Sequence, residues 1–445
     1  WIMMNGKWRL KMKQLTRLFI PICLETLFYM LSGMVDTLML SAVGDYAVGA
    51  VGTANSYIGI FIIMFSIISS GMVSVMTQNI GAGRPGVAYQ ARQLGLLFNA
   101  VAGVLMAVFL FSGAGAILRM VGIADALYEP ALIYLKIVGG GCILNAVIPI
   151  FSSYLRAFGY TKQPLYATIV GNIANFVMNA VFLFVLHKGV AGVATATVIS
   201  KILNLCIVLY FSHKLISAKN STERIANKTV LGQIVKVGLP SACETALYNV
   251  AMMLVIRFLN QMDAEGLNVT ARSYTATISN FSYCVGAALA QANAIMTGWH
   301  IGAGELEECD RGTKRAAFVG VCVAVCMETA IVLGSGFIMP LFTDNPEMTA
   351  LVRKLLAIDI VLEIGRVTNL VFGQALKTSG DAVFPAVIAA VFMFVFAVGG
   401  TWLFGISMGL MAVGAYIGLA SDECVRAVGM VWRWKTGKWR TKKLV

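Results

Sequence analysis

Runs of apolar residues too long for a soluble core constrain this chain more than anything else in it. Twelve such runs, each of roughly 20 to 28 residues, follow one another with short polar breaks, and each is long enough as a helix to cross about 30 Å of hydrocarbon. The expected spans are 15–40, 48–78, 91–116, 129–155, 163–186, 190–213, 231–259, 270–298, 313–338, 348–376, 381–405 and 408–432. Composition excludes a soluble alternative: of 445 residues 58% are hydrophobic and only 12% charged, with a mean hydropathy of +0.80. The expected fold class is an all-α integral membrane protein with twelve transmembrane helices.

The runs are duplicated. Pro21-x-x-x-Glu25 leads through Asp36 to Ile80-Gly81-Ala82-Gly83, and Pro240-x-x-x-Glu244 leads to Ile301-Gly302-Ala303-Gly304. Proline to glycine takes about 60 residues in one copy and about 62 in the other. Arg156-Ala-Phe-Gly159 with Pro164, and Lys377-Thr-Ser-Gly380 with Pro385, follow in step at an offset of roughly 220 residues. The implied architecture is two pseudo-symmetric six-helix lobes. An even number of helices per lobe makes them parallel, related by an axis along the membrane normal.

The expected organisation is an N-terminal lobe at 1–213, a cytoplasmic linker at 214–230, a C-terminal lobe at 231–432 and a basic cytoplasmic tail at 433–445. The stretch from Lys7 to Arg17 reads as a cytoplasmic amphipathic lead-in. Net charge is +13, which in a soluble protein would suggest nucleic acid. Here the basic residues gather at the termini and in alternate connections: Arg84 and Arg92, Arg156 and Lys162, Lys214 to Lys228, Arg311 to Arg315, and Lys377. The other connections hold Asp45, Asp125, Asp263, Glu265, Asp344 and Glu347. That bias predicts both termini in the cytoplasm of a multi-pass cell-membrane protein, with lipid as partner and no nucleic acid.

Nine cysteines lie scattered, mostly in apolar runs, with no CxxC pair or accompanying histidines, so neither a zinc site nor a disulfide framework is expected. Cys322 and Cys326, one turn apart, read as lipid- or helix-facing residues. His187, His213 and His300 sit at segment ends, where a solvated loop is expected. No nucleophile constellation or phosphate-binding glycine loop marks an enzyme, and no cofactor or metal is expected.

The spaced motifs Pro21-x-x-x-Glu25, Met34-Val-Asp36-Thr-Leu-Met39, Gln78-x-x-Gly81-Ala-Gly83, Gly171-Asn-x-x-Asn175-x-x-x-Asn179, Gly192-x-Ala-Thr195-Ala-Thr197 and Gly238-Leu-Pro240-Ser-Ala-x-Glu244 resemble those of the MATE (multidrug and toxic compound extrusion) transporters, over essentially the full length. The resemblance implies a V-shaped pair of lobes. It also implies export of amphipathic, often cationic, compounds in exchange for protons or sodium ions by alternating access.

A charged side chain at membrane depth usually faces a cavity and serves function. Asp36 is the foremost candidate, as the coupling carboxylate. In the family its equivalent joins a polar set that Asn175, Asn179 and Thr197 match here. Asn179 stands where many members carry aspartate, which weakens a sodium site and favours protons, since hard cations bind through charged oxygens. Glu25 joins the coupling set by position, and Glu244 matches a C-lobe glutamate used in the family. Both are open to a second reading, as carboxylates satisfied by hydroxyls or a lysine. Asp359, Glu363 and Arg366 complete the expected C-lobe network, with Arg366 where some members place a functional aspartate. The expected pairing is Arg366 with Glu363, one turn away, and with Glu244, in either a functional or a helix-holding role. Lys136 and Lys201 are further intramembrane charges without an assigned partner. Tyr29, Tyr57, Met64, Asn145, Phe158 and Asn280 are the candidates for the substrate cavity. The expected activity is that of a monomeric antiporter for small amphipathic organic solutes. The alternative is a flippase for a lipid-linked precursor, which the basic Arg366 keeps in view.

Overall fold

The computed structural model describes residues 12–121, 123–216, 223–263 and 266–445. Among them every regular element is helical: α1 (Met12–Ser41), α2 (Asp45–Gly81), α3 (Pro85–Val121), α4 (Asp125–Gly140), α5 (Cys142–Ala157), α6 (Lys162–Ala180), α7 (Gly189–Leu215), α8 (Asn227–Met262), α9 (Leu267–Gly302), α10 (Leu306–Ile338), α11 (Pro346–Ser379), α12 (Val383–Phe392) and α13 (Met411–Lys435). The twelve expected segments map onto these in order. The fourth becomes a pair, α4 and α5, bent by 41°, where Gly139-Gly140-Gly141 interrupts the run. The fifth continues from α6 into a π-helical turn at Val181–Val185, and the eleventh is α12 prolonged by π-helical turns at Met393–Val398 and Thr401–Ser407.

By length and hydropathy, eight of the described helical spans can cross a membrane, nine with the bent pair. The three long helices that fall short are α9, α11 and α13, and the reason is where they pack. Helix α11 lies against α9, α10 and α13, so its polar side chains meet protein rather than lipid, and Asp359, Glu363 and Asn369 are buried.

Contacts divide the chain into two compact units. One covers residues 20–238, the other residues 239–445 with the first turns of α1. The division therefore falls inside α1 and α8. The polar stretch expected as a linker includes 217–222, outside the described residues, as are Lys7 in the lead-in and Glu265. The last residues form no loose tail. Helix α13 runs to Lys435, a 3-10 turn covers Lys438–Thr441, and Trp434 and Trp439 stack 4.2 Å apart, both buried.

The duplication recurs in backbone geometry. Gly83 and Gly304 have φ of 77° and 76°, Gly159 and Gly380 of 82° and 96°, Gly189 and Gly409 of 52° and 71°. Each pair is about 220 residues apart. A left-handed residue closes a helix at little cost only if it is glycine. Both Gly-Ala-Gly endings close the same way: Arg84 N–H donates to the Asn79 carbonyl and Glu305 N–H to that of His300, each at 2.8 Å.

Several charges that loop reading used for orientation lie inside helices. Arg92 is buried in α3 beneath Tyr89, Phe151 and Tyr154, and Arg156 and Lys377 end α5 and α11. His187 and His213 are exposed as expected, but His300 is only 3% exposed and lies 2.9 Å from Glu305 Oε2.

Small residues set helix spacing, as they do wherever membrane helices touch. At Gly365, where α11 meets α13, an added Cβ would stand 2.7 Å from Cys424 N and 2.8 Å from the Glu423 carbonyl carbon. Gly365→Ala should therefore lower stability by about 1–3 kcal/mol through overpacking. Gly33→Ala on α1, with nothing within 4 Å, should be neutral or stabilising by about 0.5–1 kcal/mol. Thermal unfolding of the detergent-solubilised protein measures both.

Candidate functional site

In the unit of residues 20–238 the site is built on α1, α6 and α7. Asn175 and Asn179 are one turn apart on α6, share a face and are buried. The Asn179 amide donates to Asp36 Oδ1 at 2.7 Å and to Asn175 Oδ1 at 3.2 Å, while Asn179 Oδ1 has no partner. Asp36 is half-buried. Tyr134 from α4 interacts with Asn55, Thr197 and Asp36, although the Thr197 hydroxyl itself donates to the Val193 carbonyl of its own helix at 2.9 Å. Lys201, one turn beyond Thr197, donates to Asn145 Oδ1 at 2.8 Å and acts electrostatically on Asp36. The structure thus brings Asp36, Asn175 and Asn179 together. It also supplies the neighbour that could not be assigned to Lys201, whereas Lys136 is exposed.

Glu25 belongs elsewhere. It lies about 16 Å before Asp36 along α1, and Arg156 Nη2 donates to its Oε1 at 2.6 Å. Its counterpart Glu244 does the same in the other unit, where Lys377 Nζ approaches Glu244 Oε2 to 2.8 Å as an ion pair. Both acids are the glutamates of the Pro-x-x-x-Glu openings, and both bases open the landmarks that end at Gly159 and Gly380. The repeat encodes one ion pair per unit.

In the unit of residues 239–445, α11 carries Asp359, Glu363 and Arg366. Arg366 Nη1 holds Glu363 Oε1, and its Nε lies 3.7 Å from Glu423 Oε1. Glu423, not Glu244, is the second partner, because Gly365 lets α13 approach α11 backbone to backbone. Arg426 Nη2 reaches Glu423 Oε1 at 2.9 Å and Asp422 Oδ2 at 2.7 Å, and Asn369 donates to Glu423 Oε2 at 3.0 Å. A cavity of about 270 Å³ opens beside this network, lined among others by Tyr248, Arg272, Asn280, Tyr283, Asp359 and Arg366. Glu328 on α10 lies with Asp359 and Glu363. Sequence reading passed over Glu328, Asp422, Glu423 and Arg426, yet their signal was present: acids and a base inside apolar runs, the argument already applied to Asp36.

Of the residues expected to line a substrate cavity, Asn280 lies in the wall of this cavity of about 270 Å³. Asn145 serves Lys201, and Phe158 meets the Tyr154 ring edge-on, centroids 5.1 Å apart. Tyr57 is half-buried, while Tyr29 and Met64 are exposed, at 70% and 47%.

The Glu244–Lys377 pair is 20% and 12% exposed, dry enough that removing one partner strands the other. Lys377→Met should cost about 3 kcal/mol, and adding Glu244→Gln should recover much of that loss. Additive losses in a thermal-unfolding double-mutant cycle would contradict the pairing.

Comparison with known proteins places this geometry. A family model described as MatE matches residues 21–181 and 240–403. The uncharacterised transporter YisQ of Bacillus subtilis is 32% identical over 428 residues, which span 95% of this chain and 94% of that protein. The probable multidrug resistance protein NorM of Thermotoga maritima is 20% identical over 446 residues, 97% and 94% of the two chains. A crystal structure of a MATE protein in complex with MaD3S aligns with a TM-score of 0.85 and 21% identity over 96% of both chains, a likeness of fold.

Proposed function

Because the chain belongs to the MatE family of multi-pass membrane transporters, we propose that it is a monomeric secondary antiporter that exports amphipathic, cationic organic compounds in exchange for protons, with Asp36 as the coupling carboxylate. The observation that carries this reading is the partner set of Asp36. Its direct hydrogen-bond donor is the neutral amide of Asn179 at 2.7 Å, so that partner leaves the aspartate's charge to be neutralised by a proton or a cationic solute. A sodium ion would want further charged oxygens. Asn179 offers an amide where the family resemblance leads one to expect a carboxylate, and Lys201 adds positive charge nearby. Protonation removes the charge that would hold a cationic solute, and release of the proton restores it. Proton and solute thus compete for one group, as exchange by alternating access requires. The loop charges support a cytoplasmic location for both termini.

The flippase reading was kept in view by Arg366 as an intramembrane base. Its guanidinium lies instead against Glu363 and Glu423, which speaks against it.

Two measurements test the proposal. Asp36→Asn should reduce dye efflux from energised vesicles at least tenfold while thermal unfolding stays unchanged, and undiminished efflux would remove Asp36 from the mechanism. Collapsing the pH gradient at constant sodium should stop export by the native protein. Export that persists and follows the sodium gradient would replace the proton with sodium.

A further inference from the structure

Three acids converge between α10 and α11. Glu328, Asp359 and Glu363 each offer a carboxylate oxygen within 4.8 Å of the others, and they are 0%, 2% and 0% exposed. Outside this cluster neither oxygen of Glu328 has a hydrogen-bond partner, nor has Asp359 Oδ2 or Glu363 Oε2. Buried polar groups are nearly always paired, so four such oxygens in one place call for an explanation. A second observation comes from a different helix. Ser279 and Ser282 of α9, 3% and 1% exposed, stand beside Asp359 and Glu328 respectively, and their hydroxyls have no partner outside this cluster. Three acids from two helices are thus flanked by two hydroxyls from a third.

Charge narrows what would satisfy them. Arg366 offsets one of the three carboxylates through Glu363. Its other contact, Glu423, is already held by Arg426 and Asn369. With all three acids ionised, as a bound cation would hold them, two negative charges remain for that cation to offset, and Ser279 and Asp359 also line the neighbouring cavity, which gives an ion a way in. We infer that Glu328, Asp359 and Glu363, with Ser279 and Ser282, form a binding site for a divalent cation of the calcium type. An all-oxygen donor set favours hard cations over zinc or copper. The irregular cage, in which Glu328 can bind through both oxygens, suits calcium better than magnesium, which demands a near-ideal octahedron and keeps its waters. A bound ion would tie α10 to α11 and draw in α9, fixing the helices that frame the neighbouring cavity.

The site is independent of the coupling role proposed for Asp36, and its test needs no ion gradient. The purified full chain in nanodiscs, stripped with a chelator, is titrated with calcium chloride, with magnesium and sodium chlorides at matched ionic strength as separate arms. Equilibrium dialysis with radioactive calcium should give about one ion per chain, and calcium should raise the melting temperature where magnesium and sodium do not. Glu328→Gln should weaken calcium binding at least tenfold. Without calcium it should unfold as cooperatively as the native chain, which reports its folding. Asp359→Asn provides a second variant with the same loss of binding. Asp36→Asn should bind calcium normally, which separates failure of this site from failure of the coupling assignment. The inference is overturned by the absence of calcium binding, by binding that survives both carboxylate changes, or by sodium giving the same Glu328-dependent stabilisation.

Discussion

Inside a bilayer an ionised side chain has no bulk water to fall back on, and each charge must find compensation in the protein around it. The arrangement of both units follows from that constraint. Glu25 has Arg156, Glu244 has Lys377, and Arg366 and Arg426 thread between Glu363, Glu423 and Asp422. Asp36 is compensated differently. Its direct donor is an amide, with a lysine at electrostatic range, so its charge is solvated without being cancelled.

The duplication keeps structure and lets chemistry diverge. Both halves retain the left-handed glycines, the helix-closing hydrogen bonds and the ion pair between the opening glutamate and a distal base. These are framework features, because they fix where helices end and how the first helix of each half is tied to its own unit. In the first half α1 is further tied to α6 by Asn172, whose amide donates to the Phe28 carbonyl at 2.8 Å. Beyond the framework, the first half places a sparse set of amides and one lysine around Asp36. The second half sets two acids and Arg366 at the centre of α11, with Asp422, Glu423 and Arg426 of α13 beside them.

That concentration of charge explains why α9, α11 and α13 are less apolar than a lone spanning helix should be. They are shielded by protein, and they can lie close because glycine occupies the contact. The approach at Gly365 brings Glu423 to Arg366 and leaves Glu244 for Lys377. A local packing choice thus decided which acid neutralises which base.

Taken alone, the sequence determined the helical membrane class, the twelve spans, the doubled organisation and the likeness to a transport family, because hydropathy and repeat spacing are properties of the chain in order. Through that likeness it also pointed to Asp36 with Asn175 and Asn179, two amides whose i, i+4 spacing puts them on one face. Only the tertiary structure could assign partners across helices: Arg156 to Glu25, Asn145 to Lys201, Glu423 to Arg366. It alone gathered Glu328 from α10 with two acids of α11. Residues on different helices meet only through the packing of whole helices, and no local pattern carries the rotation of one helix against the next.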